Sequence, residues 1–299
     1  MANRIGFHVR SMDEFERVIQ IPRVNVVELK PDQIEKKSGV SLYFFDGKEF
    51  RPNLKLIGEI DNMCRKRNVS IQVHLPYEEE HDPSTERGLC QADRAHHDLI
   101  LKRYKMFKGI FYSSMVGSVL TTHPPAYRFN GVDLWEEQEA LEAGRELYAR
   151  VSREILGSKD DFKLGLENMV APKDTGASSL GFKPWHLDKL IGDSKGIGIT
   201  VDSGHRNLNN DMSIRLLFSL APVVNVHFHS NLGIVLQDTY DDDGHLFATK
   251  DNLPHYGRYI KTFGRFGPPI ILEIEDLENR SDSELSDYVQ NLRREIEKV

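Results

Sequence analysis

Nine residues of this sequence have side chains suited to chemistry: His74, His123, Glu167, Asp202, His205, His227, Asp243, His245 and Glu273. They stand at or just past the ends of short apolar runs: IQVHLPY, VLTTHPP, LGLENM, ITVDSGH, VNVHFHS with DDDGH beyond it, and IILEIED. A packed core has no use for imidazoles and carboxylates in such places. A polyvalent metal site does, because imidazole nitrogens and carboxylate oxygens are the donors that zinc-class and manganese-class ions take. Nine such groups exceed what one ion can use, which points to more than one.

Each tip carries its own argument. A carboxylate at the end of a buried strand is costly unless it is paired or bound to a cation. Glu167 in KLGLEN and Glu273 in IILEIE repeat that arrangement, and a cation between them would relieve their repulsion. In VDSGH the strand ends at Asp202. Ser203-Gly204 then allows a sharp turn, so that Asp202 and His205 both face the same side. His227 and His229 share a strand face by the period of two. His227 is the expected ligand, and His229 is expected to pack or to bind substrate. Asp243 and His245 follow on a loop, where Asp-Asp-Asp-Gly also reads as a solvated turn; Asp242 can substitute for Asp243. His74 and His123 occupy equivalent places just before prolines, in HLP and HPP. His8 in GFHVR ends the first strand without a partner, so it is expected to support a ligand or to touch substrate. His81, His96, His97, His186 and His255 fall in loops or helices and are expected at the surface.

The elements that must position these groups are legible as well. Strand candidates are 4–9, 25–30, 71–76, 118–123, 163–168, 197–202, 223–229 and 269–275. All are short, mostly apolar and rich in Val, Ile or Leu, as strands covered on both faces should be. Helical patterns fill 12–20, 53–67, 93–112, 134–156, 184–192, 211–219, 253–263 and 283–297. Ser11 with Glu14 reads as an N-cap. Leu54, Ile57, Ile60 and Cys64 form one expected apolar stripe, and Leu285, Val289, Leu292 and Ile296 another. Eight strand–helix units in sequence predict an α/β fold, a (β/α)8 TIM barrel forming one domain over 1–299. The competitor is an open doubly wound sheet, but no Gly-rich phosphate fingerprint follows strand one. Two long connections, about 31–52 and 77–92, follow strands and are expected to contact substrate or act as lids.

The bulk composition narrows the function classes. With 39% hydrophobic and 28% charged residues the 299-residue chain can bury a large core. No apolar run approaches the roughly 18 residues of a membrane span. The start, MANRIGFHVRSMDEF, carries no apolar signal region, and the chain is expected to be cytoplasmic, with no membrane partner. Cys64 and Cys90 are too few for a disulfide framework. The net charge of -7 weakens a nucleic-acid reading. Three divalent ions would add 6, leaving about -1, so the acidity does not exclude it.

These residues resemble the xylose isomerase-like TIM barrels, and within them endonuclease IV, the family 2 AP endonucleases. GFHVR, HLPY at 74–77, THP at 122–124, LEN at 166–168, LG at 180–181, VDSGH, the His227 strand, Asp243-Gly-His245 and Glu273 carry the likeness over nearly the whole chain. The resemblance implies up to three divalent ions, zinc first, with manganese or magnesium as alternatives. One would be held by His74, His123 and Glu167; a second by Glu167, Asp202, His227 and Glu273; a third by His205, Asp243 and His245. His8, Tyr77 and His229 are the expected substrate contacts. The chain departs from the endonuclease IV pattern in three places: Glu78-Glu79-Glu80 follows HLPY, Ser203-Gly204 stands where Thr and another residue are usual, and Phe-His-Ser-Asn follows His227.

Two chemistries follow. The first is phosphodiester hydrolysis, with abasic-site DNA as first candidate, by a hydroxide bridging two ions, with Glu167 as bridging ligand. Lys30, Lys36, Lys37 and Arg51 with Tyr43, Phe44 and Phe45 would serve a nucleic acid there. The alternative is isomerisation or epimerisation of a small sugar or sugar phosphate around one ion held by Glu167, Asp202, His227 and Glu273, the two glutamates exchanging a proton at carbon. The acidic surface favours the alternative; His74, His123, Asp243 and His245 favour the first.

Overall fold

The computed structural model describes residues 4–46, 48–76, 90–111, 119–129, 131–156, 162–172, 177–209, 213–231 and 244–299. Eight parallel strands close a barrel: β1 Ile5–Val9, β2 Val26–Leu29, β3 Ser70–His74, β4 Val119–Thr122, β5 Lys163–Glu167, β6 Ile197–Asp202, β7 Val223–His227 and β8 Ile270–Leu272. Neighbours around the ring are neighbours in sequence, and β8 closes on β1 through Ile5–Phe7 paired with Ile270–Leu272. This is the predicted (β/α)8 architecture, with every strand found.

Ten helices are described: α1 Met12–Val18, α2 Pro31–Ser38, α3 Leu54–Arg67, α4 His97–Phe111, α5 Glu137–Glu154, α6 Pro184–Ile191, α7 Ser203–Leu208, α8 Ile214–Leu220, α9 Tyr256–Phe266 and α10 Asp282–Glu297. Ser11 caps α1 by accepting from Glu14 N at 3.1 Å. The Glu14 carboxylate reaches back to Arg10 N rather than to Ser11 N.

Alternation along the strands divides the barrel into two chemical worlds. Ile5, Phe7, Val9, Val27, Leu29, Ile71, Val73, Leu164, Leu166, Ile199, Val201, Val226, Ile270 and Leu272 join one hydrophobic core with the helices. The helices meet it with the expected stripes: Ile57, Ile60 and Cys64 from α3, and Leu285, Val289, Leu292 and Ile296 from α10. Leu54 does not belong to its stripe; it opens α3 and is 71% exposed. The alternate residues are mostly polar. Glu28, Gln72, Thr121, Thr200 and Asn225 are fully buried, with Thr121 and Asn225 both bonded to Glu28.

The segment 31–52 is not a bare loop. It holds α2 and a hairpin, Tyr43–Phe45 with Phe50–Pro52, whose Tyr43 packs edge-on against Phe107 of α4 at 5.4 Å. Sequence reading also missed a three-stranded antiparallel sheet of Ala126–Phe129, Val132–Asp133 and Ala177–Ser179. Residues 77–89 of the second long connection, Tyr77 and His81 among them, lie outside the described residues, as do Asp242 and Asp243. The end of that connection is anchored by buried Gln91, whose amide donates to Thr122 Oγ1 and to the His123 carbonyl at 3.0 and 3.1 Å.

Candidate metal centre

Every strand of the barrel sends one ionisable side chain to its C-terminal mouth: His8, Glu28, His74, His123, Glu167, Asp202, His227 and Glu273. All eight are buried. His205 joins them from α7, and His229 and His245 from the segments after β7. The local chain explains how each is aimed. The Asn168 side chain clamps the ends of β5 and β6, accepting from Asp202 N at 2.8 Å and donating to Asp202 O at 3.0 Å. Asp202 in turn caps α7 by accepting from His205 N at 2.7 Å. So Ser203-Gly204 begins a short helix rather than a simple turn, and Asp202 serves as cap and candidate ligand together.

Glu167 lies at the middle. Its Oε2 is 3.2 Å from His74 Nε2 and 3.5 Å from both His123 Nε2 and His227 Nδ1, while its Oε1 is 3.1 Å from His205 Nδ1. His227 Nδ1 is also 3.3 Å from Glu273 Oε2 and 3.7 Å from Asp202 Oδ2. That nitrogen is buried and hydrogen-bonds to none of these carboxylates. Donors about 2.1 Å from a tetrahedral ion stand about 3.4 Å apart, which matches this spacing. The donor set therefore fits a zinc- or manganese-class ion held by Glu167, Asp202, His227 and Glu273.

Among the described residues, donor atoms fall within 4.8 Å of one another in four overlapping groups: His74–Glu167–His227, Glu167–Asp202–His205, Asp202–His227–Glu273 and His229–His245–Glu273. The first two sets implied by resemblance are thus brought together, with His123 beside His74 at a ring separation of 4.8 Å. The third set is divided. His205 groups with Glu167 and Asp202, His245 groups with His229 and Glu273, and Asp243 is not described. His229, expected as a substrate contact, has Nε2 at 3.0 Å from both oxygens of Asp202.

Glu28 was missed by sequence reading. It sits in Val-Val-Glu-Leu, an apolar run whose single charge was the available signal. Its Oε2 is 3.0 Å from His8 Nδ1 and 2.9 Å from His227 Nε2; its Oε1 accepts from Thr121 and Asn225 at 3.2 and 3.0 Å. A carboxylate on the far nitrogen of a ligating imidazole fixes its tautomer and ring plane. The Leu75 carbonyl, 2.9 Å from His74 Nδ1, can do the same for His74.

Burial would raise the Glu167 carboxyl, but His227, His123 and His205 hold it well below the usual carboxylate range. Burial is likewise overcome at Glu273 by His8, His245, His227 and His229, and at Asp202 by His205 and His229. The His227 imidazole is disfavoured as a cation by burial, yet Glu28 and Glu167 carry it well above its ordinary value. His8 goes the other way: burial outweighs Glu273 and Glu28 and lowers it to about 4. His97 and His186 are not at the surface as expected; His97 lies against the Gln91 carbonyl, and His186 is enclosed between Gly181 N and Glu137.

The closed parallel barrel has counterparts among known proteins. The family model described as xylose isomerase-like TIM barrel matches residues 36–295. The chain belongs to that family. A search of curated proteins finds no match. Among solved structures, the barrel is similar to D-psicose 3-epimerase from Clostridium cellulolyticum H10, solved with D-tagatose, at 10% identity and a TM-score of 0.65, covering 98% of this chain and 99% of that one. It is also similar to 3-keto-D-glucoside 4-epimerase from E. coli, at 11% identity and 0.60 over 98% and 99% of the two chains. A third is the TTHB071 protein from Thermus thermophilus, soaked with zinc chloride, at 16% identity and 0.56 over 96% and 97%. At such identities the likeness is one of xylose isomerase-like fold.

Proposed function

We propose that this xylose isomerase-like barrel is a divalent-metal-dependent isomerase or epimerase acting on a small sugar or sugar derivative. The observation that carries the reading is the pair of buried glutamates at the ends of β5 and β8, Glu167 and Glu273, each within 3.5 Å of the same His227 nitrogen. Glu167, Asp202, His227 and Glu273 would hold the ion. When bound, that ion would polarise a substrate carbonyl and its neighbouring hydroxyl. Glu167 and Glu273 then do the protein's part: one carboxylate takes a proton from the carbon beside the carbonyl and becomes a carboxylic acid. A proton goes back to carbon either from that acid or from the second glutamate once solvent has protonated it, the two exchanging protonation states over a turnover. A return to the opposite face gives an epimer; a return to the adjacent carbon gives an isomer. Asn168 and Glu28 keep the groups in place. Sugar as the substrate class draws on the two epimerases of similar fold, and a neutral substrate suits a chain of net charge -7.

The deciding experiment incubates metal-loaded protein with D-ketoses and keto-sugars in deuterated water. Solvent deuterium should enter at the exchanging carbon, and Glu167→Gln and Glu273→Gln should each abolish it. No exchange on any sugar, with cleavage of abasic duplex DNA instead, would overturn this reading. That second reading, phosphodiester hydrolysis, is favoured by one specific feature: His74 and His123 on Glu167 are donors beyond the four that one ion needs.

A further inference from the structure

Two of the departures from the endonuclease IV pattern, Gly204 and His229, meet in space. A Cβ at position 204 would come 2.0 Å from His229 Cε1 and within 2.7 Å of both ring nitrogens. Real side chains do not approach so closely, so the His229 ring occupies this place because residue 204 is glycine. The backbone at 229 is fixed to the same turn: Ser203 Oγ donates to the His229 carbonyl at 2.6 Å and accepts from His229 N at 3.0 Å. Nε2 faces both oxygens of Asp202 at 3.0 Å, the carboxylate–imidazole pairing that fixes a ligating histidine. The His245 ring stands edge-on to His229 with centroids 4.3 Å apart. One donor atom each from His229, His245 and Glu273 lies within 4.8 Å of the others.

We infer that His229, His245 and Glu273 form a second divalent-cation site, distinct from the set around His227 and joined to it through the Glu273 carboxylate. Two imidazoles and one carboxylate select a borderline transition ion such as zinc, and three protein ligands leave open a coordination position for a substrate oxygen. The charge of the centre agrees. Glu28, Glu167, Asp202 and Glu273 place four carboxylates in the buried mouth, and one divalent ion offsets half of their charge. The pairing also accounts for the divided third set: His205 turns to Glu167 and Asp202, and His229 takes its place beside His245. The site stands on the His229 cluster and holds for a sugar enzyme or a hydrolase alike.

The test is metal stoichiometry on the full-length protein after equilibration with zinc and gel filtration, with cobalt(II) absorption as a second readout. His229→Asn, His245→Ala and Gly204→Ala should each hold one equivalent fewer than the parent chain. Each should also lose one set of cobalt bands while keeping the other. Gly204→Ala is the sharpest, since it alters no ligand and only fills the space the ring needs. His245→Ala, on a partly exposed segment, keeps the test available if a buried substitution fails to fold. Parental stoichiometry in His245→Ala and in the folded members of the other two overturns the inference. A parent chain holding one equivalent, lost in Glu167→Ala, overturns the second site and leaves the proposed function standing. A parent chain that binds no metal overturns both.

Discussion

The two flanks of the barrel mouth are built differently. On the β1–β2 side, Glu28 is wedged between His8 and His227, with Thr121 and Asn225 filling its other oxygen, all within 3.2 Å and all on strands. On the β6–β7 side, His205 rides on a six-residue helix, and His229 and His245 lie beyond the end of β7. The strand-borne flank can hold one ligand, His227, in a single orientation. The helix- and loop-borne flank determines how many further donors reach the centre. Such a division suits a family in which one barrel hosts several chemistries, because rigid strands fix the shared ion while connections vary.

The largest effect is expected where the flanks meet. Glu167→Ala should release the ion held at His227, one metal equivalent, while the His229–His245–Glu273 site keeps its own. It should also lower turnover by at least about 1000-fold, since removing one member of a buried charged cluster strands the rest. The full parental metal content in that variant, measured by elemental analysis, would mean that Glu167 does not hold the ion at His227.

On the rigid flank alone, Glu28→Gln should weaken the ion at His227 by about 10–100-fold, the usual effect of losing an outer carboxylate. Competition with a chromophoric chelator reads this directly. An unchanged affinity would show His227 to be aimed by packing rather than by Glu28.

Acid separates the flanks differently. The folded-state value of His8 is depressed by burial to about 4, against about 6.5 unfolded. As pH falls through that window the unfolded chain takes a proton that the folded chain refuses, so the stability associated with neutral His8 is present above about 6.5 and is lost toward 4. At about 1.4 kcal/mol per unit the loss is about 3 kcal/mol. Denaturant titrations in chelator at pH 7, 5.5 and 4.5 should show this slope in the parent chain and a shallower one in His8→Gln. Equal slopes would sink the assignment.

The same contrast governs what could be read from sequence. Strands covered on both faces must be apolar runs, so all eight were visible, and imidazoles or carboxylates at their tips stood out. Glu28 was hidden because it lies within its run, where the surrounding apolar residues mask one charge. α2 was missed because PDQIEKKS carries one strongly apolar residue, Ile34, and so no stripe, and α7 because its six residues begin at the turn expected after Asp202. His97 and His186 were misplaced because a buried histidine partnered by a carbonyl or a carboxylate has the same local sequence as a surface one. Leu54 was misassigned because a helix's first residue can fit the stripe and still lie beyond the core.

The smallest effect tests how rigid the strand-borne flank is. Thr121 Oγ1 donates to Glu28 Oε1 at 3.2 Å and lies 3.2 Å from Thr200 Oγ1. Thr121→Val keeps the shape and removes the donor, which should cost about 1–2 kcal/mol because the acceptor is a buried carboxylate. If Thr121 acts through Glu28, the cost should largely vanish in a Glu28→Gln background, where no full charge remains to satisfy. A double-mutant cycle on unfolding free energy measures that coupling. Additive costs would make Thr121 a packing residue and Glu28 a carboxylate held by Asn225 and the two histidines alone. Strong coupling would make the β2–β4–β7 interior one polar unit whose job is to hold a single imidazole still.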